Sequence, residues 1–83
     1  MGNLSENQVF HEFIAKELGI NTSDFTLETK FRELTIWSSL NALYLMTRIS
    51  EEEEVFISAA EIASCSTFSD IHHLIQKKIN GNQ

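Results

Sequence analysis

The chain has 83 residues, of which 42% are apolar and none is proline, and a fold of this size has room for one thin core rather than a deep catalytic cleft. Its twelve acidic and six basic residues give a formal net charge of −6, which opposes nucleic-acid binding and association with anionic membranes. No apolar run approaches the roughly 18 residues of a membrane span, no N-terminal segment has the pattern of a signal peptide, and the single cysteine has no partner for an internal disulfide. These features predict one cytosolic, monomeric domain over residues 1–83, ordered from about residue 4 to 80, whose partners present basic patches.

The first helix is predicted to begin at Ser5, because the sequence Ser-Glu-Asn-Gln at 5–8 has the pattern of a capping box. Gly19 is a natural end for it, since glycine adopts the left-handed conformation without steric cost. The helix carries one apolar stripe with three- and four-residue spacing, formed by Val9, Phe10, Phe13, Ile14 and Leu18.

A long loop is predicted over 21–37, where the helical period is lost. Loops of this length in small domains are usually functional or pinned to the core. Its scattered apolar residues favour pinning, and these are Phe25, Leu27, Phe31 and Leu34. Trp37 at its end is predicted to pack as a hydrophobic staple on a residue one turn inside the next helix.

The second helix is predicted from Ser39 to about Glu52, with Ser38 as its N-cap. Apolar residues cover most of its circumference, which is typical of a central helix or of one with an exposed docking face. These residues are Leu40, Ala42, Leu43, Leu45, Met46 and Ile49.

Two shorter patterns predict the last helices. Ser58 and Glu61 form a capping box that opens a short third helix, with Ile62 pointing inward and Cys65 buried at its end. The fourth helix starts near Thr67, has an apolar stripe of Ile71, Leu74, Ile75 and Ile79, and ends at Asn80-Gly81. The chain is therefore predicted to be an all-α four-helix bundle with a long first loop and a short third helix.

Ser39 is the residue whose position suggests chemistry. A serine in the first helical turn presents its hydroxyl beside the positive end of the helix dipole, where a phosphate-linked modification is favoured. Serine is also a preferred residue at helix starts for purely structural reasons. The two adjacent serines alone leave both interpretations open.

The segment at 31–46, FRELTIWSSLNALYLM, resembles the attachment region of acyl carrier proteins, and the likeness extends over nearly the whole chain in helix order and length. The resemblance, to a specialised bacterial member of the family, implies that a phosphopantetheinyl transferase (holo-carrier synthase) moves 4′-phosphopantetheine from coenzyme A to Ser39. The arm's thiol would then hold acyl groups as thioesters. It also implies that Leu40 is the buried residue behind the serine, and that the protein itself is not an enzyme.

The chain departs from the family pattern around the attachment serine. Ser38 stands where the family usually has aspartate, and Glu53 stands near a position that is commonly aromatic. The exposed face of the second helix is predicted to show Asn41, Tyr44, Arg48 and Ser50 rather than acids, which gather only at 51–54. This pattern favours a dedicated set of partners, such as an acyl-loading ligase, a ketosynthase or an acyltransferase in a specialised fatty-acid, polyketide or related pathway. The candidate partner-recognition residues are Trp37, Ser38, Leu40, Asn41, Tyr44, Arg48 and Glu51.

Two other function classes stay open at this point. The chain could be an aminoacyl or peptidyl carrier with the same arm, or an unmodified helical adaptor that only binds proteins. A metal site is not expected, because adjacent histidines such as His72 and His73 point about 100° apart on a helix. A serine hydrolase is not expected either, since no Gly-x-Ser-x-Gly motif is present.

Overall fold

A computed structural model describes residues 3–81 and confirms the predicted all-α, four-helix fold. Two short 3-10 turns interrupt the first loop, at Thr22–Asp24 and Phe31–Glu33. The helices are α1 (Asn7–Leu18), α2 (Ser39–Glu53), α3 (Ala59–Ala63) and α4 (Phe68–Asn80). None of the helices within residues 3–81 is long and apolar enough to cross a membrane.

One core is formed by all four helices together with the first loop. Its largest fully buried side chains are Phe10, Ile14, Phe31, Leu45, Ile49, Ile57, Phe68, Ile71 and Ile75. The aromatic rings of Phe25 and Phe31 lie 5.1 and 5.7 Å from that of Phe68. The predicted pinning of the first loop is therefore confirmed, because its phenylalanines fill the core at the start of α4.

Backbone hydrogen bonds hold the same loop against the entry to α4. The N–H of Phe31 donates to the carbonyl oxygen of Ser66 at 3.2 Å, and the N–H of Ser69 donates to that of Leu27 at 2.7 Å. An isolated antiparallel bridge also joins Lys30 to Thr67. These contacts hold the middle of the loop against the start of α4.

The predicted start of α1 at Ser5 is wrong. The helix begins at Asn7 with Glu6 as N-cap, and no side chain caps it. Residues 4 and 5 are instead tied to other elements: the N–H of Leu4 donates to Glu53 Oε2 at 2.8 Å, and Gln76 Nε2 donates to the carbonyl oxygen of Ser5 at 2.8 Å. Tertiary hydrogen bonds therefore replace the local capping box, and they give the unusual Glu53 a structural role at the end of α2.

The other predicted helix ends are confirmed. Gly19 has φ 72°, in the left-handed region that favours glycine. Ser58 and Thr67 each open a helix with a complete capping box. Ile62 and Cys65 are buried as predicted.

Candidate functional site

Ser39 is the first residue of α2 and its side chain is exposed. The adjacent Ser38 caps the helix, since its Oγ accepts the N–H of Asn41 at 3.1 Å and its carbonyl oxygen accepts that of Ala42 at 2.9 Å. The capping function is therefore served by Ser38. The hydroxyl of Ser39 is left available at the surface.

The start of α2 also favours an anion beside Ser39. The first N–H groups of an α-helix have no acceptor within the helix, and here only that of Asn41 is taken by the cap. The N–H groups of Ser39 and Leu40 remain at the positive end of the helix dipole, which stabilises a neighbouring phosphate. A phosphodiester on the Ser39 oxygen fits this environment.

A groove of about 640 Å³ opens beside Ser39, between α2 and α3. Most of its walls are apolar, so the groove suits a hydrocarbon chain better than a charged group. It is lined on α2 by Ser38, Ser39, Ala42, Leu43 and Met46, on α3 by Ala59, Ile62 and Ala63, and on the first loop by Arg32 and Trp37.

Trp37 forms the loop side of this groove. Its ring centroid lies 4.4 Å from that of Phe31 and 6.4 Å from that of Phe68. These ring contacts are with the loop and α4, whereas the predicted staple would pack on α2. The tryptophan is thus held by the aromatic core and presents its remaining surface to the groove.

Arg32 is a groove residue that the sequence did not single out. Its guanidinium donates to the carbonyl oxygens of Cys65, Ile62 and Ala63, and it lies 4.7 Å from the centroid of the Phe31 ring. It therefore fastens the C-terminal end of α3 to the first loop. A local sequence pattern could not predict this role, because the carbonyl oxygens that accept from Arg32 are 30 or more residues away.

The predicted burial of Leu40 is wrong, since the side chain is 75% exposed. The fully buried residues of α2 are Leu45 and Ile49. At 100° per residue, Leu40 lies about 140° from Leu45 and about 180° from Ile49 around the helix. A helix that buries Leu45 and Ile49 must therefore turn Leu40 to the outside.

The exposed face of α2 differs from the predicted one. It contains Leu40, Leu43 and Tyr44, with Tyr44 exposed as expected. Asn41 lies at the edge of this face, where its side-chain amide donates to the carbonyl oxygen of Ile36. Leu43, which was not among the candidate recognition residues, could have been found from its spacing of three residues from Leu40.

Arg48 is held in a network between α1 and α2 rather than extended into solvent. Its guanidinium pairs with Glu17 of α1 at 3.3 Å, with Glu51, and with Glu52 at 3.3 Å. Hydrogen bonds to Glu51 and Glu17 raise the pKa of Arg48, and a hydrogen bond to Glu17 also raises the pKa of Tyr44. The network places Glu51 beside Arg48 and neutralises the positive charge of α2.

The remaining titratable candidates do not converge. Within residues 3–81, no group of three histidine, cysteine or acidic side chains is placed to hold a metal ion. His11 contacts the carbonyl oxygen of Phe25, while His72 is buried and His73 is exposed. Burial raises the pKa of the Cys65 thiol, as is typical of a small buried residue rather than a reactive one.

Comparison with known proteins connects this geometry to a family. The model of the phosphopantetheine attachment site matches residues 8–75, which span α1, the groove, Ser39 and most of α4. The acyl carrier protein of Aster yellows witches'-broom phytoplasma (strain AYWB) is 35% identical over 66 residues, which cover 80% of this chain and 87% of that protein. The acyl carrier protein of Onion yellows phytoplasma (strain OY-M) is 34% identical over 64 residues, or 77% and 84% of the two chains.

This chain belongs to the acyl carrier protein family. Members of the family are carriers rather than enzymes, and their cofactor is a covalently attached phosphopantetheine. The residues present fit that cofactor, because the start of α2 combines an exposed hydroxyl, unpaired N–H groups for a phosphodiester and an adjoining apolar groove.

Proposed function

We propose that this acyl carrier protein holds acyl intermediates as thioesters on a 4′-phosphopantetheine arm attached to Ser39. The observation that carries the proposal is the position of the Ser39 hydroxyl, exposed at the start of α2 and at the edge of an apolar groove. We further propose that residues 1–83 act as a single monomeric carrier domain in the cytoplasm, without catalytic activity.

In the proposed attachment step, a phosphopantetheinyl transferase uses coenzyme A as donor. The Ser39 oxygen forms a new bond to phosphorus, the pyrophosphate bond of coenzyme A breaks, and adenosine 3′,5′-bisphosphate leaves. The proton of the hydroxyl goes to a base on the transferase. The N–H groups of Ser39 and Leu40 stabilise the resulting phosphodiester, so the chain contributes the acceptor oxygen and a favourable electrostatic environment.

When bound, the arm supplies a terminal thiol that forms the thioester. The chain's own contribution to cargo handling is the groove between α2 and α3, whose walls include Trp37, Met46 and Ile62. An acyl chain that enters this groove leaves water, and each buried methylene contributes about 0.8 kcal/mol. This apolar lining supports an acyl cargo over a charged aminoacyl cargo.

We also propose that the protein serves a specialised pathway with its own partners. The α2 face lacks acidic residues before Glu51, which supports a dedicated partner set in a specialised fatty-acid, polyketide or related pathway. The proposed partners are a phosphopantetheinyl transferase and an acyl-loading ligase, a ketosynthase or an acyltransferase. We assign the recognition of this partner set to the end of the first loop and to α2, through Trp37, Ser38, Leu40, Asn41, Tyr44, Arg48 and Glu51.

The test is an intact-mass measurement after incubation of the apo protein with coenzyme A and a broad-specificity phosphopantetheinyl transferase. We expect the mass to rise by one phosphopantetheine in the wild type and in Ser38→Asp, because aspartate also caps helices. Ser39→Ala should stay unmodified, because it lacks the hydroxyl that accepts the phosphopantetheine.

Two results would contradict the proposal. Modification of Ser39→Ala would place the arm on another residue. An unmodified wild type, under conditions that convert a control carrier, would favour the helical adaptor, which needs no arm.

A further inference from the structure

We propose that the transferase docks on α2 through an apolar surface, and that charge pairing with α2 contributes little to this docking. The docking surface consists of Leu40, Leu43 and Tyr44. The inference rests on the proposed attachment of the arm to Ser39, and it specifies the chemistry by which a partner recognises the same site.

The three side chains form a strip along one side of α2. Leu43 and Tyr44 follow Leu40 by three and four residues, so both adjoin it on the helix surface, and the three residues are 75%, 56% and 47% exposed. Single exposed leucines are common, but adjacent large apolar side chains on one helix face are typical of interaction sites. The strip begins at the residue after Ser39, so an enzyme that reaches the Ser39 hydroxyl has to cover it.

Charge is absent from this part of α2. The residues from Ser39 to Thr47 include no acid or base. The next residue, Arg48, is paired with Glu17, Glu51 and Glu52. Glu51 lies twelve residues after Ser39, a distance of about 18 Å along a helix with a rise of 1.5 Å per residue.

The charged loop residue that lines the groove is also engaged. Arg32, which lines the groove beside Ser39, donates to three backbone carbonyl oxygens at the end of α3. A basic patch on an enzyme seated over Ser39 would therefore meet little complementary charge within the first two turns of α2. An apolar patch would instead meet the exposed side chains of Leu40 and Leu43 and the exposed ring of Tyr44, so the partner surface that fits is apolar.

The net charge of −6 does not describe the surface beside Ser39. The chain as a whole is acidic, but its acids are not distributed along the strip that adjoins Ser39. The net charge can accelerate a long-range encounter with a basic enzyme. Short-range recognition is assigned to burial of Leu40, Leu43 and Tyr44.

The experiment measures kcat and KM for phosphopantetheine transfer to the full-length apo protein, with coenzyme A and holo-carrier synthase as the probe. We expect Leu43→Ser and Leu40→Ser to raise KM about tenfold with little change in kcat, as truncation at an apolar contact does. The matched control is Phe56→Ser, which removes another exposed apolar side chain from the segment after α2. Its KM should equal that of the wild type, and circular dichroism should show that all three variants are folded.

Ionic strength provides the second measurement. Raising the salt from about 50 to about 300 mM should change the wild-type KM less than about twofold, because surface charge pairs are screened over this range whereas apolar contacts are not. The proposal is overturned if KM rises about tenfold with salt, or if both leucine variants retain the wild-type KM. It is also overturned if sedimentation shows a dimer that Leu43→Ser dissociates, since a second copy would then occupy the surface. A wild type that is never modified indicates instead that the proposed attachment at Ser39 has failed.

Discussion

The Nε2 atom of His72 lies 2.8 Å from the carbonyl oxygen of Leu4, 68 residues earlier in the chain. A carbonyl oxygen only accepts, so the imidazole donates its Nε2–H. The ring is stacked on Phe10 with centroids 4.6 Å apart, and the residue is 2% exposed. Because Leu4 also donates to Glu53, this contact joins the N-terminal segment to α4 and to the end of α2.

The burial of His72 predicts a loss of stability in mild acid. Burial lowers the pKa of His72, whereas an unfolded histidine has a pKa of about 6.5. As the pH falls through about 6.5, the unfolded chain binds a proton that the folded chain does not, so the free energy of unfolding decreases. Urea denaturation between about pH 8 and about pH 5.5 should show this decrease. His72→Gln should reduce it and His73→Gln, at an exposed position, should preserve it; equal pH dependence in both variants would contradict the assignment.

The orientation of α2 predicts that truncating one leucine lowers the free energy of unfolding strongly, whereas truncating another hardly changes it. Leu45 is fully buried and Leu40 is 75% exposed. Leu45→Ala should lower the free energy of unfolding by about 2 to 5 kcal/mol, because it leaves a cavity. Leu40→Ala should change it by no more than about 0.5 kcal/mol. Denaturant titrations of the two variants check this, and a larger cost for Leu40→Ala would mean that α2 is rotated.

The network around Arg48 predicts a stabilising contact between α1 and α2. The side chain of Glu17 is 6% exposed, and Arg48→Met would leave this carboxylate without its guanidinium. We expect Arg48→Met to lower Tm more than Glu51→Gln does, since Glu51 is 59% exposed and surface pairs contribute little. Thermal unfolding of both variants in the same buffer gives the comparison. Equal shifts would show that the pair with Glu17 adds nothing beyond the surface pair.

The burial of Cys65 predicts how many thiols react with a thiol reagent in the native and in the denatured protein. Cys65 is buried and burial raises the pKa of its thiol, so the native protein should react slowly with a thiol reagent. The apo protein should therefore show its single thiol only in denaturant. After modification at Ser39, the native protein should show one fast thiol, that of the arm, and denaturant should reveal the second. A fast thiol in native Ser39→Ala would show that Cys65 is accessible.

Several features of the carrier could be read from the sequence because they are encoded within a few residues. The capping boxes at Ser58 and Thr67, the cap at Ser38 and the end of α1 at Gly19 each depend on hydrogen bonds or backbone freedom inside one turn. The same is true of the position of Ser39 at the first turn of α2. These local rules identified the four helices and placed Ser39 at the start of α2, and the resemblance of residues 31–46 to the attachment region of acyl carrier proteins singled it out as the serine that we propose carries the arm.

The tertiary structure decided the features that depend on distant partners. Leu4 and Ser5 are drawn away from α1 by Glu53 and Gln76, and the acceptors of Arg32 lie at the end of α3. Apolar residues cover most of the circumference of α2, and only packing against the other elements determines that Leu45 and Ile49 are buried. The spacing of apolar residues in the sequence shows which side chains share a helix face. Which face is buried depends on the neighbouring helices and the loop, because they cover one side of α2 and leave the other exposed.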